Sequence, residues 1–107
     1  MGEIIYNKLV RDNIPQIIQA DNQTPVTRVL NDDDYKKALL EKLVEEAREL
    51  LESNGEIGER ADIAEVLMAI DKTFSFDDGA VEMERFNKAK KRGGFEGRIF
   101  LEKAITK

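Results

Sequence analysis

The chain has 107 residues, 41% hydrophobic, 36% charged and 7% aromatic, with 22 acidic against 17 basic side chains and a net charge of −5. That length predicts one domain over 1–107 with a core large enough to fold unaided, and the apolar fraction argues against intrinsic disorder. Cysteine and histidine are both absent, which excludes disulfides, zinc–thiolate centres, Cys or His nucleophiles and haem ligation and leaves chemistry to carboxylates, lysines, arginines, hydroxyls and backbone.

Met1 to Tyr6 shows no basic start followed by an apolar run, and no apolar stretch approaches the ~20 residues that cross a bilayer. A soluble cytoplasmic protein without membrane contact is the expectation. Asn13-Ile14-Pro15 reads as a helix start, because proline fits the first turn, where its missing N–H is no loss. This short helix is predicted over Pro15–Ala20. Pro25 to Leu30 is β-branched and reads as a strand. Asn31-Asp32-Asp33-Asp34 supplies N-cap candidates and negative charge for a second helix, predicted from Asp34 to Ser53. Asn54-Gly55 breaks it. A third helix is predicted over Ile57–Lys72, and a fourth, capped by Asp77-Asp78, runs to Arg92 before Gly93-Gly94. Arg98 to Leu101 then reads as a strand pairing with the one near Val26. The fold class is therefore all-α, a bundle of about four helices with a small two-stranded ribbon.

Charge is unevenly spread: residues 31–71 carry −8 and residues 84–107 carry +5. A duplex-binding protein would show a larger basic excess, so no stable nucleic-acid partner is expected. The acids themselves fall on unexpected faces. At about 100° per residue, Glu46 lies about 20° from Leu39, inside the apolar arc of the second helix. Glu49 sits at the edge of that arc and Glu45 just beyond it. On the third helix, Glu59 lies between Val66 and Ile70, Asp62 falls between Ala69 and Val66, and Glu65 follows one turn later. A buried carboxylate must be paired, protonated or bound to a cation. Only five bases stand among the thirteen acids of residues 31–71. Two i, i+3 carboxylate pairs on neighbouring helices can share an ion, and an all-oxygen donor set suits Mg²⁺ or Mn²⁺.

Glu45-Glu46-Ala47-Arg48-Glu49 followed by Glu59-Arg60-Ala61-Asp62 resembles the EExxE…ExxD signature of the all-α nucleoside triphosphate pyrophosphohydrolases, which include MazG and phosphoribosyl-ATP pyrophosphohydrolase. The opening Tyr6-Asn7-Lys8-Leu9-Val10-Arg11-Asp12-Asn13-Ile14-Pro15 resembles a MazG-like house-cleaning branch, as do Lys91-Arg92-Gly93-Gly94-Phe95-Glu96 and Arg98-Ile99. The resemblance implies Mg²⁺ held by Glu46, Glu49, Glu59 and Asp62. It also implies cleavage of a nucleotide substrate between the α and β phosphates. Glu45 is then expected to orient or deprotonate the attacking water, with Glu65 a weaker outer candidate. Lys8 and Arg11 are expected at the phosphates, and Lys91 and Arg92, with Lys88 and Arg98 nearby, form a second basic group around the glycines. Tyr6 and Phe95 are candidates for stacking on a base, although aromatics more often pack a core. The gap of nine residues between Glu49 and Glu59 is shorter than in many members of this superfamily, which bears on the ligand set. A homodimer or higher homo-oligomer is expected. The alternative is a non-enzymatic helical module whose acids hold a structural metal or a basic partner.

Overall fold

The computed structural model describes residues 2–106. It is all-α, with α1 over Ile14–Ala20, α2 over Asp32–Glu52, α3 over Ile57–Thr73 and α4 over Ala80–Arg92. Two compact units divide the chain, Met1–Ser75 and Phe76–Lys107.

In the first unit, the starting signals act as the sequence predicts. Pro15 lies in the first turn of α1. The Asn31 side chain caps α2 by accepting from the Asp34 N–H at 2.8 Å, and Asp32, Asp33 and Asp34 place three acids at the positive end of the helix dipole. The end of α2 is a Schellman turn: the Gly55 N–H reaches the Leu50 carbonyl at 3.0 Å and the Asn54 N–H reaches that of Leu51 at 3.1 Å. Asn54 has φ +59 and Gly55 φ +91, so the chain reverses within a few residues. Glu56 then caps α3, its carboxylate accepting from the Glu59 N–H at 3.2 Å. This compact reversal is how nine residues suffice between Glu49 and Glu59. α2 and α3 pack against each other, around Leu39, Val66 and Ile70, with Leu9, Tyr35, Leu43, Ala69 and Phe74 against that cluster.

A Cβ built on Gly55 meets no atom within 4 Å. The cost of Gly55→Ala is therefore backbone strain alone, about 1–2 kcal/mol for a left-handed residue. A thermal melt is expected to show Tm lower by about 4–8 °C for each kcal/mol.

In the second unit, Gly79 at φ +82 is the N-cap of α4 and makes no side-chain cap bond. The predicted cap at Asp77-Asp78 is thus displaced, and the Asp77 backbone carbonyl accepts from the Ala80 N–H at 2.9 Å instead. Lys90, Lys91 and Arg92 occupy the last turn, where cations suit the dipole.

The predicted ribbon does not form: no strand occurs among the described residues. A strand needs a ladder partner and one covered face. Val26 and Val29 are 95% and 98% exposed, and Ile99 and Phe100 are 89% and 88% exposed. Neither segment has either requirement. β-branched composition alone misled the reading. Among the described residues, no helix is long and apolar enough to cross a membrane.

Candidate metal centre

Two helices supply the acids. Glu46 and Glu49 are one turn apart on α2, and Glu59 and Asp62 are one turn apart on α3. The turn at Asn54 sets the register: Glu49 and Glu59 each lie five residues from it, and Glu46 and Asp62 eight residues. Antiparallel packing then brings the two pairs level. One carboxylate oxygen from each of the four lies within 4.8 Å of the others. Oxygens on opposite sides of a Mg²⁺ ion bonded at 2.0–2.1 Å stand about 4.2 Å apart, so small side-chain rotations bring all four into range.

Glu46 lies deepest, only 5% exposed. Its Oε1 is 3.2 Å from Lys42 Nζ. Its Oε2 is buried and has no hydrogen-bond partner. Such an atom costs free energy unless something positive meets it, and a cation among the four acids would do so. Burial, with the neighbouring Glu49, pushes the Glu46 carboxyl above the usual carboxylate range despite Lys42. The donor set is all oxygen and the buried orphan sits within it, so these residues fit a hard divalent ion.

Basic residues pair directly with these acids and with Glu45. Lys8 donates to Glu45 Oε1 at 2.9 Å, and Lys42 to Glu45 Oε2 at 3.1 Å. Arg11 donates to Asp62 Oδ1 at 2.7 Å. The hydrogen bond to Glu45 raises the Lys8 pKa. Burial opposes ionisation of Glu45, but the bonds from Lys8 and Lys42 outweigh it and hold its carboxyl below the ordinary range. Both Glu45 oxygens are engaged by lysines, and a carboxylate so held is a weak base, so of the two roles expected of Glu45 this environment suits deprotonating a water the less.

The structure thus brings together Lys8, Arg11, Glu45, Glu46, Glu49, Glu59 and Asp62. Lys91 and Arg92 lie in the last turn of α4, in the other unit, and are exposed, as is Glu65 on α3. Tyr6 is 57% exposed and Phe95 97%, so neither packs a core. Lys8 Nζ stands 5.8 Å from the centre of the Tyr6 ring. Sequence reasoning missed Lys42. Its signal was present: Lys42 precedes Glu45 by three residues and Glu46 by four, the spacing at which helical side chains meet.

No family model matches the chain, and no solved structure matches it. An uncharacterized protein of Mycolicibacterium smegmatis is 56% identical over 43 residues, which is 40% of this chain and 44% of that protein. The chain therefore spans under half the length of this relative.

Proposed function

We propose that the chain is a Mg²⁺-dependent nucleoside triphosphate pyrophosphohydrolase, forming a nucleoside monophosphate and pyrophosphate from a nucleotide substrate. The observation that carries this reading is the buried, unmatched Glu46 Oε2 within a four-carboxylate cluster flanked by cations. Glu46, Glu49, Glu59 and Asp62 hold the ion, with Mn²⁺ an acceptable substitute. When bound, the ion neutralises charge on the phosphates and makes a water more acidic.

The chain's own residues supply the rest. Phosphoanhydride hydrolysis depends on positioning and on neutralising the phosphates more than on covalent help. Lys8 and Arg11 sit on the same side as the acids, each tethered to one of them. They are the cations for the triphosphate, and Glu45 keeps Lys8 in place. Tyr6, two residues from Lys8, offers an exposed ring for a base. Lys91 and Arg92 form a separate basic group in the last turn of α4. The protein acts as a homodimer or higher homo-oligomer in the cytoplasm, on the nucleotide pool, without stable contact to nucleic acid.

The test is product analysis on a panel of ordinary and modified nucleoside triphosphates, in Mg²⁺ and in EDTA. Equal amounts of pyrophosphate and monophosphate, formed only with the metal, are expected. Orthophosphate as the product would move the cleavage site. If no substrate turns over while chelator lowers the melting temperature, the acids hold a structural ion instead.

A further inference from the structure

The segment before α1 is held to the α2–α3 pair chiefly by charge. None of the backbone–backbone hydrogen bonds among the described residues involves residues 2–10. Of these residues only Leu9 is partly buried, packed against the cluster of Leu39, Val66 and Ile70. Lys8 donates to Glu45 on α2, 37 residues away, and Arg11 donates to Asp62 on α3, 51 residues away. Asn7, at φ +45, turns the chain just before Lys8.

The segment therefore crosses from one helix to the other. Three residues of extended chain reach about 10 Å, and packed helix axes lie about 8–10 Å apart, so Lys8 and Arg11 match the width of the pair, with Leu9 between them. The two fastenings differ in one respect. Asp62 is one of the four acids whose oxygens stand within 4.8 Å of one another, and Glu45 is not. Arg11 is thus a built-in counter-charge for the cluster. Its side chain is 54% exposed and that of Asp62 39%, so the pair can open without unpacking a core.

We propose that residues 6–11 are a strap, and that a divalent cation held by the four acids unfastens its Arg11 end while the Lys8 end stays closed. A carboxylate that coordinates a dication has little attraction left for a guanidinium, and the two cations repel each other across it. Glu45 keeps Lys8, because its oxygens are engaged by lysines and lie outside the cluster. Reciprocity follows: what the ion does to the Arg11–Asp62 pair, the pair does to the ion, so Arg11 lowers the cluster's affinity for metal. An anion that follows the ion meets a guanidinium already released from its acid. Such a strap rests on the cluster being a cation site, as proposed above, and is independent of hydrolysis.

Two measurements without nucleotide test it. In titration calorimetry with Mg²⁺, Arg11→Gln is expected to bind the ion about two- to fivefold more tightly than the parent, the range an exposed ion pair supports, with helical circular dichroism unchanged. The chain has no cysteine, so Val10→Cys carries a single nitroxide at an exposed position within the strap. Its room-temperature spin-label spectrum is expected to narrow when Mg²⁺ replaces EDTA, and to be narrow in both conditions once Arg11→Gln is added. Bound Mg²⁺ with an unchanged or broader spectrum overturns the strap and leaves the cation site standing. Unaltered Mg²⁺ affinity in Arg11→Gln does the same. No Mg²⁺ binding by the parent overturns the cation reading and the strap with it. The calorimetry uses unlabelled chain, so a fold disturbed by the label does not remove the test.

Discussion

Glu49→Gln is expected to abolish pyrophosphate release while leaving the helices intact. Glu49 is half-buried on α2, one turn from Glu46 and level with Glu59 across the turn. Glutamine keeps the shape and has a similar helix propensity, so the backbone has no reason to change. What disappears is one negative charge among the four proposed to share an ion. Loss of one ligand weakens metal binding, and turnover that depends on the ion's charge neutralisation falls with it. The comparison is Glu52→Gln, three residues further along the same helix and exposed. That variant should retain parental turnover and a parental Mg²⁺ midpoint. Unchanged turnover in Glu49→Gln at saturating Mg²⁺ would remove Glu49 from the site. Loss of turnover together with loss of helical signal would mean a structural fault, which the Glu52 control and a thermal melt separate.

Most of the first unit was legible in the sequence because its signals are local. Asn31 with three following aspartates, Pro15 in a first turn and Asn54-Gly55 after an apolar period each act through one or two hydrogen bonds nearby. The acid cluster was legible for a related reason: helical period alone placed Glu46, Glu59 and Asp62 on the core side, and Glu46 is the one charged residue the structure buries among those described. Two features were not legible. The ribbon requires pairing between residues more than sixty positions apart, and β-branched composition says nothing about whether a partner strand arrives. α3 is apolar round most of its circumference, yet Ile57 and Met68 remain exposed. A period identifies an apolar face but not the molecule that covers it. Lys42 was missed because a lysine on an acid-rich helix reads as solvated until its reach to Glu45 and Glu46 is measured.

Glu46→Gln is expected to act with opposite signs in chelator and in metal. In EDTA, the parent buries a carboxylate whose Oε2 has no partner. An unsatisfied buried polar group costs about 1–3 kcal/mol, and more when charged. A neutral amide there removes the charge and brings N–H donors toward Glu49, Glu59 and Asp62. Tm in EDTA should therefore rise, by about 4–8 °C for each kcal/mol recovered. The pH dependence follows from the same burial. The Glu46 carboxyl is raised, so the folded chain holds that proton more tightly than the unfolded chain does, and stability falls as pH climbs from the ordinary carboxylate range through the raised value. Glu45 works in the window below: its carboxyl is lowered, and its contribution is lost as pH falls from the ordinary range through the lowered value. Glu46→Gln should flatten the upper slope and leave the lower one. In Mg²⁺ the ranking reverses. Four carboxylates become three, the metal-induced rise in Tm shrinks, and the parent gains on the variant as the ion concentration increases. A higher Tm in EDTA combined with a smaller response to Mg²⁺ is the signature of a carboxylate kept at a cost to the fold so that it can bind a cation. A lower Tm in both conditions would mean instead that the bond from Lys42 to Glu46 outweighs the orphaned oxygen, and that the ionised pair serves the helix itself.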